Sequence, residues 1–284
     1  MTSFDQNNTR FTISLEKTSS RPDLNQLVEA SAISLTKKGL SGHTARVAMA
    51  IDLSGSMNPA LKRGEVTRLL KQTLAQGLTF DDDGDIEIFV FGSLANYYGT
   101  MNLANLDETC EAFKSISTKG LTNYGDAIST ITKHYTDIGF DQPVFVQFIT
   151  DGNVNPEYRA NTVKAITKAA ELPIFWSFMG IGNSTYLPLN GPSQNEASAD
   201  KPNKKKGFLG RMFGASESNS PSDKASKEFP FLMQLDTMDG RKVDNASFFS
   251  VGYNDDVPAT VLIDHMHAEY PDWLAQVRQL GMLP

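Results

Sequence analysis

The chain has 284 residues, 40% of them hydrophobic, and its 26 basic against 33 acidic side chains give a net charge of −7. That is length for one large or two small domains with a sizeable core, and the acidic balance argues against nucleic acid as a general partner. A single cysteine, Cys110, excludes an internal disulfide framework.

The amino-terminal MTSFDQNNTR has neither the charged start nor the apolar centre of a signal peptide, and no apolar run is long enough to span a membrane. A cytoplasmic location is therefore expected. Within residues 1–45, Phe11 to Leu15 reads as a strand and Pro22 to Ala32 as the start of a helix; whether they extend a sheet or dock separately is left open. Arg46 to Ile51 is short and apolar enough for a buried strand, with Asp52 at its carboxyl end. Pro59 starts a helix, and Val66, Leu69, Leu70, Thr73, Leu74 and Leu78 recur at helical spacing. The acidic turn Asp81 to Asp85 leads into the strand Ile86 to Phe91, and Ala95 to Met101 forms a short edge strand. That turn lacks the first-position acid and the terminal glutamate of a calcium loop. Helix patterns follow over Asp107 to Ile116, where Cys110 reads as a helix residue and not a nucleophile, and over Tyr124 to Tyr135. Pro143 to Thr150 is a second apolar strand and ends in Asp151-Gly152; Asn161 to Leu172 is a helix and Pro173 to Gly182 a buried strand. Phe229 to Met238, Ala246 to Gly252 and Val257 to Leu280 complete a helix, strand, helix series.

The alternation after Arg46 predicts an α/β fold with a doubly wound, mostly parallel central sheet flanked by helices, Rossmann-like in plan. Residues 46–284 would form this domain, interrupted over 183–228 by an insertion rich in Ser, Asn, Pro, Gly, Lys and Glu without sustained period, expected to be disordered. Its basic and apolar stretch Lys204 to Phe213 could touch an anionic membrane, but is short and glycine-broken, so a solubilising charge run is preferred.

Two strand-end aspartates can meet in such a sheet. Ser54 and Ser56 alternate beyond Asp52, with Gly55 between them for a tight turn. Oxygen donors with no Cys or His nearby are hard ligands suited to Mg²⁺, Mn²⁺ or Ca²⁺ and not to zinc, with magnesium first because it keeps several waters. Together these residues resemble the von Willebrand factor A (vWA) domain, whose metal-ion-dependent adhesion site combines Asp-x-Ser-x-Ser with a distant loop Thr and a distant strand-end Asp. The matching residues are Asp52, Ser54 and Ser56, then Thr122 in Gly120 to Gly125, then Asp151. The lead-in Leu35 to Gly39 is similar to vWA proteins of bacterial tellurite-resistance and stress operons. The resemblance implies that Ser54, Ser56 and Thr122 approach the ion, that Asp52 and Asp151 act largely through water, and that a protein partner fills the open position with an Asp or Glu.

Two readings compete with this metal-dependent adaptor. A haloacid-dehalogenase-like phosphohydrolase also opens with a strand-end Asp but needs Asp-x-Asp, and Ser54 stands where its general acid should be. A scaffold with a vestigial metal site is the other. His265, His267 and Glu269 are expected on the surface of a helix, where at most two could converge, and His134 is expected to be exposed.

Overall fold

In the computed structural model, residues 14–80, 84–152, 154–188, 220–253 and 255–283 are described. Six strands form one sheet: β1 (Arg46–Asp52), β2 (Ile86–Phe91), β3 (Ala95–Met101), β4 (Val144–Thr150), β5 (Ile174–Gly182) and β6 (Ala246–Gly252), in the order β3-β2-β1-β4-β5-β6. All neighbours pair in parallel except β2 and β3, which are antiparallel. The order reverses between β1 and β4, and at such a switch point the loops after the two strands diverge and leave a crevice. The expected doubly wound α/β sheet is therefore present.

The apolar strands alternate between two cores, because successive side chains point to opposite faces. Val47, Met49 and Ile51 of β1 join one cluster with Leu70, Leu74, Phe145, Phe175 and Trp273, all buried. Ala48 and Ala50 join the other, with Phe148, Trp176, Phe178, Tyr124 and Ile128. The Glu65–Phe80 helix covers the first face; the Tyr124–Ile138 and Pro156–Ala169 helices pack on each other on the second. The amino-terminal question is also answered. The Pro22–Lys37 helix packs on the Glu65–Phe80 helix, and its Leu24, Val28 and Leu35 belong to the first core.

Several expectations change. Residues 14–18 are helical, so a strand does not run through Leu15; the Ser14 hydroxyl donates to the Leu78 carbonyl (2.6 Å) and the Thr18 hydroxyl to the Ser14 carbonyl (3.0 Å). Phe11 to Ile13 lie outside the described residues, as do Asp81 to Asp83 of the acidic turn. The helix at Pro59 is the short Asn58–Lys62, separated from Glu65–Phe80 by Gly64, whose φ of 81° belongs to a left-handed turn. The expected single helix from Val257 to Leu280 is two, Ala259–Met266 and Tyr270–Gln279. Pro271 explains the restart: it lacks the N–H a continuing helix would use but suits a first turn. At the insertion, 183–188 and 220–228 are ordered against the sheet: Tyr186 bridges to Ser250 of β6, and Pro221–Glu228 is a helix capped by the Ser220 hydroxyl. Residues 189–219, including Lys204 to Phe213, lie outside the described residues. Among the described residues no helix is long and apolar enough to cross a membrane.

Candidate metal centre

The register Ile51 to Ile149 carries Asp52 alongside Thr150 at the carboxyl edge of the sheet. Asp52 is fully buried, and both its oxygens are engaged. Oδ1 accepts the Ser54 backbone N–H at 2.7 Å, the short-range bond that lets an aspartate turn the chain, and Oδ2 accepts the Thr150 hydroxyl at 2.7 Å. Since Thr150 gives its one proton to Asp52, its Oγ1 accepts from the Tyr124 hydroxyl (2.7 Å) and from the Gly152 N–H (3.2 Å). A buried chain of donors thus runs from the first turn of the Tyr124–Ile138 helix through the end of β4 to the end of β1.

The loops that carry the other donors are pinned to each other. Leu53 N–H donates to the Phe91 carbonyl (2.7 Å) and Lys119 N–H to the Leu53 carbonyl (2.9 Å); Asn123 N–H donates to the Gly92 carbonyl (2.9 Å). Thr122 N–H donates to Asn155 Oδ1 at 2.9 Å, tying its loop to the chain that follows Asp151. Gly152, with φ of 83°, turns the chain sharply there, and a Cβ on it would stand 2.4 Å from Phe229 Cδ1.

The result brings Ser54, Ser56 and Thr122 to one cavity of 520 Å³. Ser54 and Thr122 are buried and Ser56 is exposed, with the two serine hydroxyl oxygens 3.2 Å apart. Asp52 lies behind them. Asp151, also buried, is near enough for its charge to act on Asp52: burial first, and then the Asp151 carboxylate, push the Asp52 pKa up to about 7 against the pull of its hydrogen bonds. The Tyr124 hydroxyl is likewise raised, by burial and by Asp52. No ion pair among the described residues involves Asp52. A buried carboxylate beside another, with neutral hydroxyls in front, is an arrangement that a hard cation would relieve, so the donor set fits a divalent ion of the magnesium class. No group of three or more His, Cys, Asp or Glu gathers among the described residues.

Thr150 and Tyr124 were not among the predicted site residues. Thr150 stands immediately before Asp151 and Tyr124 two residues after Thr122, but a strand-end Thr and a helix-start Tyr have ordinary structural uses. The weaker candidates resolve differently. His267 is fully buried, not on the surface, with Nδ1 3.1 Å from the Ser34 hydroxyl, and the helix break at 267–269 separates it from any face shared by His265 and Glu269. His134 is half-buried; it meets Glu87 at 2.8 Å and stacks on Tyr97. Cys110 is buried in the Leu106–Ser115 helix, and burial raises its thiol pKa, which suits a packing role.

Comparison with known proteins gives a family and relatives. Residues 44–191 and 224–283 match the vWA-TerF-like family, described as the vWA found in the TerF C terminus. The uncharacterized protein YcbR of Bacillus subtilis (strain 168) is 25% identical over 272 residues, covering 88% of this chain and 86% of YcbR. Among solved structures, BatB from Bacteroides thetaiotaomicron is 18% identical with a TM-score of 0.45, covering 80% of this chain and 99% of BatB. An aerotolerance-related membrane protein from Bacteroides fragilis NCTC 9343 is 16% identical with a TM-score of 0.44, covering 83% and 99%.

Proposed function

The chain belongs to the vWA-TerF-like family, and on that premise we propose that it is a non-enzymatic, metal-dependent interaction module that binds an acidic side chain of a protein partner. The observation that carries the reading is the convergence of Ser54, Ser56 and Thr122 on one cavity in front of buried Asp52 and Asp151. These five residues would hold the ion, Mg²⁺ first and Mn²⁺ or Ca²⁺ next. When bound, the ion supplies a coordination position that a partner's Asp or Glu can take from water. Asp52 is held in one orientation by Ser54 N–H and Thr150, so its carboxylate keeps a fixed position beside the donors. An adaptor fits better than an enzyme because Ser54, at the place of a phosphohydrolase's general acid, carries a hydroxyl and not a carboxyl. The TerF-linked family supports, as part of the proposal, service in a cytoplasmic tellurite-resistance or stress-response system.

Calorimetry tests the metal. Mg²⁺ should bind the wild type and be lost in Asp52→Ala and Asp151→Ala, with Zn²⁺ a poor substitute. Equal Mg²⁺ binding by wild type and Asp52→Ala would show that the ion sits elsewhere.

A further inference from the structure

The cavity has a charged part. Besides the hydroxyl donors it is lined by Arg159, from the Pro156–Ala169 helix, and by Lys227 and Glu228, from the end of the Pro221–Glu228 helix. We infer that Arg159 and Lys227 form a cationic clamp that selects partners carrying a second acidic side chain close to the one offered to the ion. The inference rests on the proposed adhesion reading and names its partner class more narrowly: a multiply acidic peptide segment.

The charge pattern carries it. Glu228, the acid in this part, is already committed: Oε1 accepts the Asn183 N–H (2.6 Å) and Nδ2 (3.0 Å), and Oε2 accepts the Ser184 hydroxyl (2.5 Å). It is a strut that fixes the Pro221–Glu228 helix to the end of β5, and it pairs with neither cation. Arg159 and Lys227, both exposed, have no ion pair or side-chain hydrogen bond among the described residues. The Arg159 guanidinium lies over the Phe231 ring, 5.3 Å from its centroid, which restricts its motion. The chain as a whole carries −7, and Arg159 and Lys227 place two positive charges at the cavity that also holds the candidate ion donors. A volume of 520 Å³ is that of a site for a compact ligand or a short peptide segment. A planar guanidinium and an ammonium facing the same space suit carboxylates spaced along such a segment.

The test uses the full chain and two fluorescent peptides of equal length, one with a single glutamate among glycines and serines, the other with three. In Mg²⁺ the three-glutamate peptide should bind the wild type about fivefold more tightly, the sum expected of two exposed charge contacts. Arg159→Gln/Lys227→Gln should erase that preference while Mg²⁺ calorimetry stays unchanged. Lys164→Gln/Lys168→Gln, the same charge change on exposed residues away from the cavity, should retain it. Equal binding of the two peptides by wild type, binding of neither, or an undiminished preference in Arg159→Gln/Lys227→Gln would overturn the clamp. If instead the preference depends on Arg159 and Lys227 but is indifferent to chelator, the clamp stands and the metal reading falls.

Discussion

At Asp52 the sheet buries a carboxylate whose neighbours do two opposing things. Ser54 N–H and the Thr150 hydroxyl stabilise its charge, while burial and Asp151 oppose it. Thr150 is therefore a positioning residue for the candidate metal centre, although its own side chain is fully buried behind the cavity. Thr150→Val keeps the shape but strands Asp52 Oδ2 and the Tyr124 hydroxyl without their shared partner, an expected loss of about 1 to 3 kcal/mol in urea unfolding. Tyr124→Phe should cost less, about 1 kcal/mol, because Thr150 keeps its bond to Asp52. The double variant should be less destabilised than the sum of the two, since it removes both ends of the Tyr124–Thr150 bond and leaves only the Thr150 partners Asp52 and Gly152 unsatisfied. Strict additivity would show that the two hydroxyls do not share this bond. The five candidate residues could be picked out in the sequence because each ends a strand or sits in a polar loop with a recognisable pattern. The relay behind them could not, because Asp52 and Thr150 become neighbours only once β1 and β4 pair.

Between elements, the least legible feature was the tie of the amino-terminal helix to the carboxyl-terminal pair. The Ser34 hydroxyl donates to Asp264 Oδ1 (2.8 Å), so it accepts from His267 Nδ1, and one serine holds the Pro22–Lys37 helix to the break after Ala259–Met266. His267 sits among Phe80, Phe145, Lys38 and Asp264; burial first, then Lys38, depress its pKa to about 3, and His43 is lowered to about 4. A base whose folded pKa lies below its unfolded 6.5 contributes stability above pH 6.5, and that stability is lost as pH falls toward the folded value. Between pH 6.5 and 5 His267 should account for about 2 kcal/mol of lost stability. Asp52, raised to about 7, works in the opposite direction, losing its contribution as pH rises toward 7. The readout is therefore the difference between variants. Urea midpoints of His267→Gln should fall less steeply than wild type from pH 6.5 to 5; parallel slopes would mean that His267 does not enter this interior neutral. Sequence periodicity merged the two carboxyl-terminal helices because Ala, His and Glu suit a helix; Pro271 was the available mark of the break.

For the molecule as a whole, the two apolar layers and not the ion should set the fold. Strands β4, β5 and β6 are buried along their full length, and the helices over both faces close clusters that include no candidate metal donor. This architecture was legible in the alternation of apolar strands and helices, whereas 183–188 and 220–228 were not, because their order comes from contacts such as Glu228 with Ser184 that join residues 44 positions apart. Binding to the folded state alone stabilises by mass action, so Mg²⁺ at a hundred times its dissociation constant should add about 2.7 kcal/mol, and chelator should remove that and no more. For a domain of this size the change corresponds to a melting shift of about 5 to 10 °C. Far-ultraviolet circular dichroism should be the same with and without chelator below the transition. Ser54→Ala, which leaves the Ser54 N–H bond to Asp52 in place, should melt like the chelated wild type and stop responding to Mg²⁺. Loss of secondary structure in chelator would mean instead that the repulsion between Asp52 and Asp151 must be neutralised before the β1 and β4 ends can stay together, making the ion a structural part of the fold.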